Sequence, residues 1–189
     1  MKILAINGSP RKGNIEFMLH EILRFTRKKS VDVSAIKLRK RNINFCDAND
    51  DGCPKTGKCD IHDDMQHIYQ ELEKADIVIL ASPTYFSNVT AHMKKFIDRC
   101  NPYYFNKKLK GKGFFLIAVG GYEPSIKETI RCMRNFLKGI YAKEIGSYYT
   151  IADKISEVEK NSKVIKELEE IAIKPVSYTH LTLPTTPYV

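Results

Sequence analysis

The sequence contains no tryptophan and no uninterrupted apolar run long enough to cross a lipid bilayer. The amino terminus shows no signal-peptide pattern, because Met1 leads directly into a short strand-like segment. The 5 cysteines are odd in number and irregularly spaced, which excludes a disulfide framework and is typical of a reducing compartment. These absences predict a cytoplasmic protein without membrane association.

The end of the chain lacks charge. Residues 175–189 contain no Lys, Arg, Asp or Glu, although these residue types make up 28% of the whole sequence. We interpret this stretch as a non-native tail, because it resembles the read-through of a sequencing adapter joined to a truncated gene. Residues 1–174 are then expected to form one domain with a substantial core.

Apolar segments alternate regularly with amphipathic ones through residues 1–174. Strands are predicted at residues 2–6, 31–38, 76–82, 113–120 and 144–151, and helices at residues 14–25, 64–74, 90–100, 124–139 and 156–173. Two of these strands, 76–82 and 113–120, are almost wholly apolar, as central strands of a parallel sheet are. The alternation predicts a doubly wound α/β fold, in which ligands bind at the carboxyl ends of the strands.

The first strand is followed by a turn rich in glycine and hydrogen-bond donors, Asn7-Gly-Ser-Pro-Arg-Lys-Gly-Asn14. The N–H groups of the next helix have no intrahelical partners, so together with Ser9, Arg11 and Asn14 they predict an anion site. The turn has neither the dinucleotide-binding nor the P-loop glycine pattern, which favours another phosphate ligand. An ordinary strand–turn–helix connection is the alternative.

Two further loops should meet this turn at the same edge of the sheet. One is Ser82-Pro-Thr-Tyr-Phe-Ser-Asn88, which offers aromatic faces and hydroxyl groups, and the other is Gly120-Gly-Tyr122, whose backbone allows close approach of a flat ligand. An anion site beside two loops that could enclose a planar ring predicts a phosphorylated aromatic cofactor. FMN fits that description.

These three motifs together resemble the NAD(P)H-dependent FMN reductase and iron-sulfur flavoprotein group of the flavodoxin-like superfamily. The resemblance implies a flavodoxin-like five-stranded parallel sheet of order 2-1-3-4-5 with helices on both faces. It implies that FMN is held by its phosphate at Ser9, Arg11, Gly13 and Asn14, and by its ring at Pro83, Thr84, Tyr85, Phe86, Ser87, Gly120 and Gly121. Ile15 departs from the pattern, because the family often has a hydroxyl residue there.

The resemblance also implies an activity. NAD(P)H would be the co-substrate and would pass hydride to FMN, from which a quinone, nitroaromatic, flavin, metal ion or protein would take the electrons. No catalytic side chain is expected, because the cofactor carries the chemistry. A homodimer or higher homo-oligomer is expected from the same resemblance.

Residues 39–63, which we call the cysteine loop, contain Cys46, Cys53 and Cys59, followed by His62. Iron-sulfur flavoproteins have a compact four-cysteine motif in this region, whereas this chain has wider spacing and no fourth cysteine. A [4Fe–4S] cluster needs four thiolates, so we do not predict one, and zinc lacks a standard ligand spacing. The expectation is a lid-like loop near the flavin with free thiols, while Cys100 and Cys132 are expected to be buried on helices.

The chain has a formal net charge of +9, and its basic residues form two clusters. Nucleic-acid binding is an alternative function, although no recognition motif accompanies the charges. A flavodoxin-like electron carrier without nicotinamide turnover is a second alternative, which the pI of about 9.2 disfavours because such carriers tend to be acidic. The clusters consist of Arg24, Arg27, Lys28, Lys29, Lys37, Arg39, Lys40 and Arg41, and of Lys107, Lys108, Lys110 and Lys112.

Overall fold

The computed structural model describes residues 1–182, with side chains for residues 1–172. The strands are β1 Lys2–Asn7, β2 Asp32–Lys37, β3 Ile77–Pro83, β4 Gly113–Gly120 and β5 Lys143–Ile151. The α-helices are α1 Asn14–Arg27, α2 Cys53–Thr56, α3 Met65–Lys74, α4 Ala91–Arg99, α5 Pro102–Asn106, α6 Glu123–Gly139 and α7 Ser162–Thr182. None of the helices in residues 1–182 combines the length and apolar composition that a membrane span requires.

The five strands form one parallel sheet in the order β2-β1-β3-β4-β5, which confirms the predicted fold. Side chains alternate across each strand, so neighbouring residues enter different layers. Leu4 and Ile6 pack in the layer that includes α3, α4 and α6, whereas Ile3 and Ala5 pack in the layer that includes α1 and α7. Helices therefore cover both faces of the sheet, and the carboxyl ends of the strands remain open to form a binding site.

Four details of the helices differ from the sequence prediction. The cysteine loop contains the short helix α2, and the aromatic stretch after α4 contains α5. The last predicted helix is divided into a 3₁₀ turn at Val158–Lys160 and α7. α7 continues past Pro175 to Thr182, whereas we expected the helix to end at residue 173. Residues 183–189 lie outside the described residues, so the origin of the tail stays a prediction.

The aromatic stretch in α5 has two roles. Tyr103 is buried in the core, where its ring meets the edge of Tyr69 with the centroids 5.7 Å apart. Tyr104 and Phe105 face outward instead, with exposed fractions of 51% and 38%. One side of α5 thus closes the core, and the other leaves aromatic surface uncovered.

Candidate functional site

A cleft opens where the parallel strands end. Ten of the twelve residues predicted for the site line the cleft: Ser9, Arg11, Gly13, Asn14, Ile15, Pro83, Thr84, Tyr85, Gly120 and Gly121. The structure therefore brings three separate sequence motifs to one place.

The turn after β1 is shaped by contacts that only a glycine allows. A Cβ atom on Gly8 would lie 2.9 Å from the side chain of Met93, so a larger residue would displace the turn. Thr90 donates its hydroxyl to the Gly8 carbonyl at 2.5 Å, and the Ser9 hydroxyl donates to the Arg11 carbonyl at 2.8 Å. These bonds hold the segment that carries Arg11 against the start of α4.

The amino end of α1 offers N–H groups to the cleft region. Gly13 precedes the helix and has no side chain to cap it, and anions bind well to such uncapped ends. Asn14 has a different role from the predicted one, because its Nδ2 donates to the Lys154 carbonyl at 2.9 Å and its Oδ1 accepts from the Val158 N–H at 3.3 Å. Asn14 thus ties two cleft walls together, and Arg11 and the backbone N–H groups of α1 remain as candidates for binding an anion.

Residues 83–90, which we call the β3 loop, form the second wall. The Thr84 N–H donates to the Val119 carbonyl at 2.8 Å. The Thr129 hydroxyl lies 3.0 Å from Thr84 Oγ1 and 3.2 Å from the Asn88 carbonyl oxygen. Both ends of the loop are therefore attached to β4 and α6.

The tip of the β3 loop is a tight turn with an unusual backbone. Tyr85 and Asn88 exchange two backbone hydrogen bonds, of 2.9 and 3.0 Å, and the central residues Phe86 and Ser87 have φ angles of 49° and 59°. Such left-handed conformations cost about 1–2 kcal/mol for each non-glycine residue. Phe86 is fully exposed, and Ser87 Oγ lies 2.9 Å from Ser125 Oγ. Neither residue lines the cleft, so the structure does not bring these two predicted ring contacts into it.

The loop after β5 supplies a wall that sequence analysis did not name. Ala152, Asp153 and Ile155 line the cleft. The Glu157 carboxylate accepts the backbone N–H groups of Asp153 and Lys154 at 2.9 Å each, and these bonds lower the pKa of Glu157. Sequence analysis could have predicted this wall, because the predicted strand at residues 144–151 ends at the same edge of the sheet as the other strands.

None of the residues of the cysteine loop lines the cleft wall. The fold of the loop depends on a buried ion pair, in which Arg99 Nη1 lies 2.5 Å from Asp63 Oδ2 and both side chains are almost wholly buried. Burial alone would raise the pKa of Asp63, but hydrogen bonds from Arg99 and from the backbone of Asn44 and Met65 lower it overall. A lid role for the loop stays a prediction.

Three thiols of the cysteine loop converge on a second cavity, which is lined by Cys46, Cys53 and Cys59. Arg99 Nη2 donates to Cys59 Sγ at 3.3 Å, and Asn101 Nδ2 donates to Cys53 Sγ at 3.3 Å. Burial raises the pKa of the Cys53 thiol, and the two neighbouring sulfurs raise it further. His62 lines a different cavity. Of the three thiols, Cys59 also lines that cavity, whereas Cys46 and Cys53 do not.

Several residues of the basic clusters are already engaged within the protein. Glu16 pairs with Lys37 at 2.5 Å and with Arg39 at 2.8 Å. The Lys112 ammonium group donates to the carbonyls of Leu72 and Glu73, and burial lowers its pKa. These contacts reduce the positive charge that the two clusters could present to a polyanion.

Comparison with known proteins identifies the family. Residues 1–157 match the family described as NADPH-dependent FMN reductase. The chain belongs to this family. Its membership makes the protein a flavin-dependent oxidoreductase and agrees with the resemblance inferred from the three sequence motifs.

Curated relatives of this FMN reductase family member include iron-sulfur flavoproteins. One from Archaeoglobus fulgidus is 34% identical over 177 residues, which cover 92% of this chain and 78% of that protein. Another, from Methanocaldococcus jannaschii, is 34% identical over 138 residues, which cover 72% of this chain and 71% of that protein. Among solved structures, the apo form of an NADH:FMN oxidoreductase superposes with a TM-score of 0.69 at 19% identity, covering 98% of this chain and 91% of that one. This last likeness shows a shared fold.

The names of these relatives require a test of whether the cysteine loop fits an iron-sulfur cluster. A [4Fe–4S] cluster takes four thiolates, and three line the cavity. The other two cysteines lie elsewhere, since Cys100 is buried in the core beyond α4 and Cys132 is on α6. Within the side chains that the structure describes, no group of three or more His, Cys, Asp or Glu residues is arranged to hold a metal ion. The donor set does not fit a four-thiolate cluster.

Proposed function

We propose that this protein binds FMN in the cleft at the carboxyl edge of the sheet and uses NAD(P)H to reduce it, passing the electrons to an acceptor. The observation that carries the proposal is the convergence of the three sequence motifs on one cleft at the carboxyl edge of the sheet. Membership of the FMN reductase family supports the same function.

The residues of the cleft suit a phosphorylated flavin. Arg11 and the uncapped amino end of α1 provide charge and N–H donors for the phosphate. Gly120 and Gly121 have no side chains, so the part of the cleft wall that they form takes up little space. A Cβ atom on Gly120 would lie 3.0 Å from Thr84 Cβ, and one on Gly121 would lie 2.8 Å from Asp153 Oδ1. Larger residues at either position would push the neighbouring wall toward the space assigned to the ring.

A bound flavin would supply hydride acceptance and electron transfer, and the protein supplies orientation and shielding. Arg11 anchors the phosphate end, while Pro83 and Tyr85 form an apolar border for the ring. The attachment of the β3 loop to β4 and α6 holds that border in place before the ligand arrives. No side chain of the cleft is assigned as a catalytic acid or base.

The acceptor is a small molecule or a protein, and the functional unit is a homodimer or higher homo-oligomer. The outward aromatic residues of α5, Tyr104 and Phe105, are candidates for the subunit interface. Sedimentation of the flavin-loaded protein, with Tyr104→Ala compared against the native chain, tests this assembly.

The function is tested with protein purified under anoxic conditions. FMN and riboflavin are titrated separately into flavin-free protein, and the flavin fluorescence is followed. The FMN-loaded protein is then mixed with NADPH or NADH while its absorbance is recorded. We expect tighter binding of FMN than of riboflavin, and loss of the oxidised flavin bands on addition of one or both nicotinamides.

Each failure has its own meaning. Protein that takes up FMN but keeps its oxidised bands in NADPH and NADH is an electron carrier without nicotinamide turnover. Protein that binds neither flavin contradicts the proposal entirely. Salt-sensitive binding to DNA in that second case would support the nucleic-acid alternative.

A further inference from the structure

The chain reverses direction between Cys53 and Cys59. α2 lasts one turn from Cys53, and Gly57 follows it with a φ of 67°, a conformation that glycine adopts at no steric cost. The Gly57 N–H donates to the Cys53 carbonyl at 3.0 Å. Beyond this turn the chain returns to where the turn began, because a Cβ atom on Gly52 would lie 3.2 Å from Asp60 Oδ1. Each of the two cysteines is therefore next in sequence to one of two residues that lie against each other.

One short segment at the end of α4 donates to both sulfurs. Arg99 Nη2 donates to Cys59 Sγ at 3.3 Å, and Asn101 Nδ2 donates to Cys53 Sγ at 3.3 Å. Arg99 and Asn101 are separated by a single residue, so the sulfurs that they bind are close to each other, and both cysteines line one cavity. Neighbouring thiols on a turn are the arrangement that a disulfide requires.

The two sulfurs have different surroundings. Cys59 accepts its hydrogen bond from a guanidinium group, whereas Cys53 accepts from a neutral amide and burial raises the pKa of its thiol. Both cysteines are free and only partly buried, so a small molecule can reach them. Reactive cysteines lie in partly exposed surroundings beside a cation, while an apolar environment keeps a thiol protonated. These surroundings favour Cys59 as the attacking thiol and Cys53 as the thiol that completes the disulfide.

We propose that Cys53 and Cys59 form a reversible dithiol–disulfide site, which exchanges with small disulfides and in which Cys59 attacks first. Thiol–disulfide exchange needs two thiols, whereas the four-thiolate cluster that this donor set does not fit needs four. None of the residues of this site lines the cleft at the end of the sheet. The inference therefore does not rest on the proposed function.

The exchange has two steps. Cys59 Sγ, as a thiolate, attacks one sulfur of the small disulfide; a mixed disulfide forms, the original S–S bond breaks, and the leaving thiolate takes up the proton that Cys59 released. Cys53 Sγ then attacks Cys59 Sγ; the Cys53–Cys59 bond forms, the mixed S–S bond breaks, and a second small thiol leaves with the proton of Cys53. The two cysteines lose two electrons, and the small disulfide gains them and becomes two thiols.

The test uses the full chain purified under anoxic conditions, with 2-hydroxyethyl disulfide as the probe and without nicotinamide. Unreacted thiols are alkylated after timed intervals, and the protein is analysed by mass spectrometry before and after digestion with trypsin. Lys55 and Lys58 lie between the two cysteines, so trypsin separates Cys53 from Cys59 unless a disulfide joins them.

The variants Cys53→Ser and Cys59→Ser remove one thiol each of the proposed pair. Cys46→Ser is the matched control, because Cys46 lines the same cavity and shares a tryptic peptide with Cys53. Cys132→Ser is a second control, since Cys132 is a partly buried thiol on α6. Circular dichroism of each variant checks that it is folded.

We expect the native chain, Cys46→Ser and Cys132→Ser to form one intramolecular disulfide that joins the tryptic peptides 42–55 and 59–74. Cys53→Ser should stop at a mixed disulfide on Cys59. Cys59→Ser should form a mixed disulfide on Cys53 about 10-fold more slowly. Excess dithiothreitol should return all of these proteins to free thiols, because the exchange is reversible.

Several results would overturn the inference. These are a native chain that forms no intramolecular disulfide, a disulfide that is lost in Cys46→Ser, and a Cys53 that reacts faster than Cys59. A stoichiometric metal ion in the purified protein that shields the thiols would also overturn it and make the cavity a metal site. If Cys59→Ser does not fold, the peptide map of the native chain and of Cys46→Ser still decides the pairing. Failure of FMN to be reduced by NADPH leaves this test unaffected, since it uses no nicotinamide.

Discussion

The β3 loop and the cysteine loop are both long connections at the sheet, but they are held by different forces. The β3 loop is held by neutral hydrogen bonds between hydroxyl and backbone groups, and it faces the cleft. The cysteine loop is held by the buried ion pair of Arg99 and Asp63, and the Cys59 thiol of the loop accepts a further hydrogen bond from Arg99. A loop held by a buried charge pair supports the fold, whereas a loop that lines the cleft with Pro83, Thr84 and Tyr85 is placed to contact a ligand.

The largest expected effect tests the ion pair that holds the cysteine loop. Asp63→Asn should lower the free energy of unfolding by about 3–5 kcal/mol, because it leaves the buried Arg99 charge without its partner. Urea unfolding followed by circular dichroism measures it. Asp51→Asn is the control in the same loop, since its pair with Lys55 is exposed, and it should cost less than about 1 kcal/mol. Equal effects of the two substitutions would show that the buried pair does not hold the loop.

Acid should weaken the ion pair between Asp63 and Arg99. The pKa of Asp63 in the folded protein lies below its ordinary value of 3.8, so the carboxylate stabilises the fold above that value and the stabilisation is lost as the pH falls. The difference in unfolding free energy between the native chain and Asp63→Asn should therefore shrink below about pH 4. Urea unfolding of both proteins across the acid range measures this difference. A gap that stays constant with pH would contradict the assignment.

A smaller effect is expected at the proposed phosphate site of the cleft. Arg11→Ala should weaken FMN binding about tenfold and leave riboflavin binding within about twofold, because only FMN carries the phosphate. Fluorescence titration of both flavins gives the two constants. Lys12→Ala is the control, since Lys12 is exposed and does not line the cleft. A parallel loss of riboflavin affinity would place Arg11 at the ring instead.

The smallest effect concerns the strained turn of the β3 loop. Ser87→Gly should stabilise the fold by about 0.5–1 kcal/mol, because glycine adopts positive φ without a steric cost. Ser125→Ala is the control, since it removes the same hydroxyl contact without altering the turn residue. Urea unfolding compares the two variants. If Ser87→Gly destabilises more than Ser125→Ala, the turn is not strained in the folded protein.

The sheet and most of the cleft could be predicted from sequence because their signals are local. The apolar runs of β3 and β4 are what burial on both faces requires, and the parallel order places their ends together. Ser9 and Arg11 were predicted from the turn before α1, and the loops that contain Thr84 and Gly120 were predicted from the strand order. The wall at Asp153 was missed although the same rule reaches it, because its residues have no distinctive composition.

Other features were decided only by the tertiary structure. Phe86 was assigned to the ring because of its place in the chain, but a turn with positive φ directs it outward, and sequence spacing does not reveal that turn. Cys46, Cys53 and Cys59 have no standard spacing, yet contacts from Arg99 and Asn101, which lie 40 or more residues further along the chain, bring them beside one cavity. The sequence by itself determined the five strands and the helices α1, α3, α4 and α6, since periodic burial is a local property. The orientation of a side chain at a loop depends on contacts between distant residues, and only the folded chain provides them.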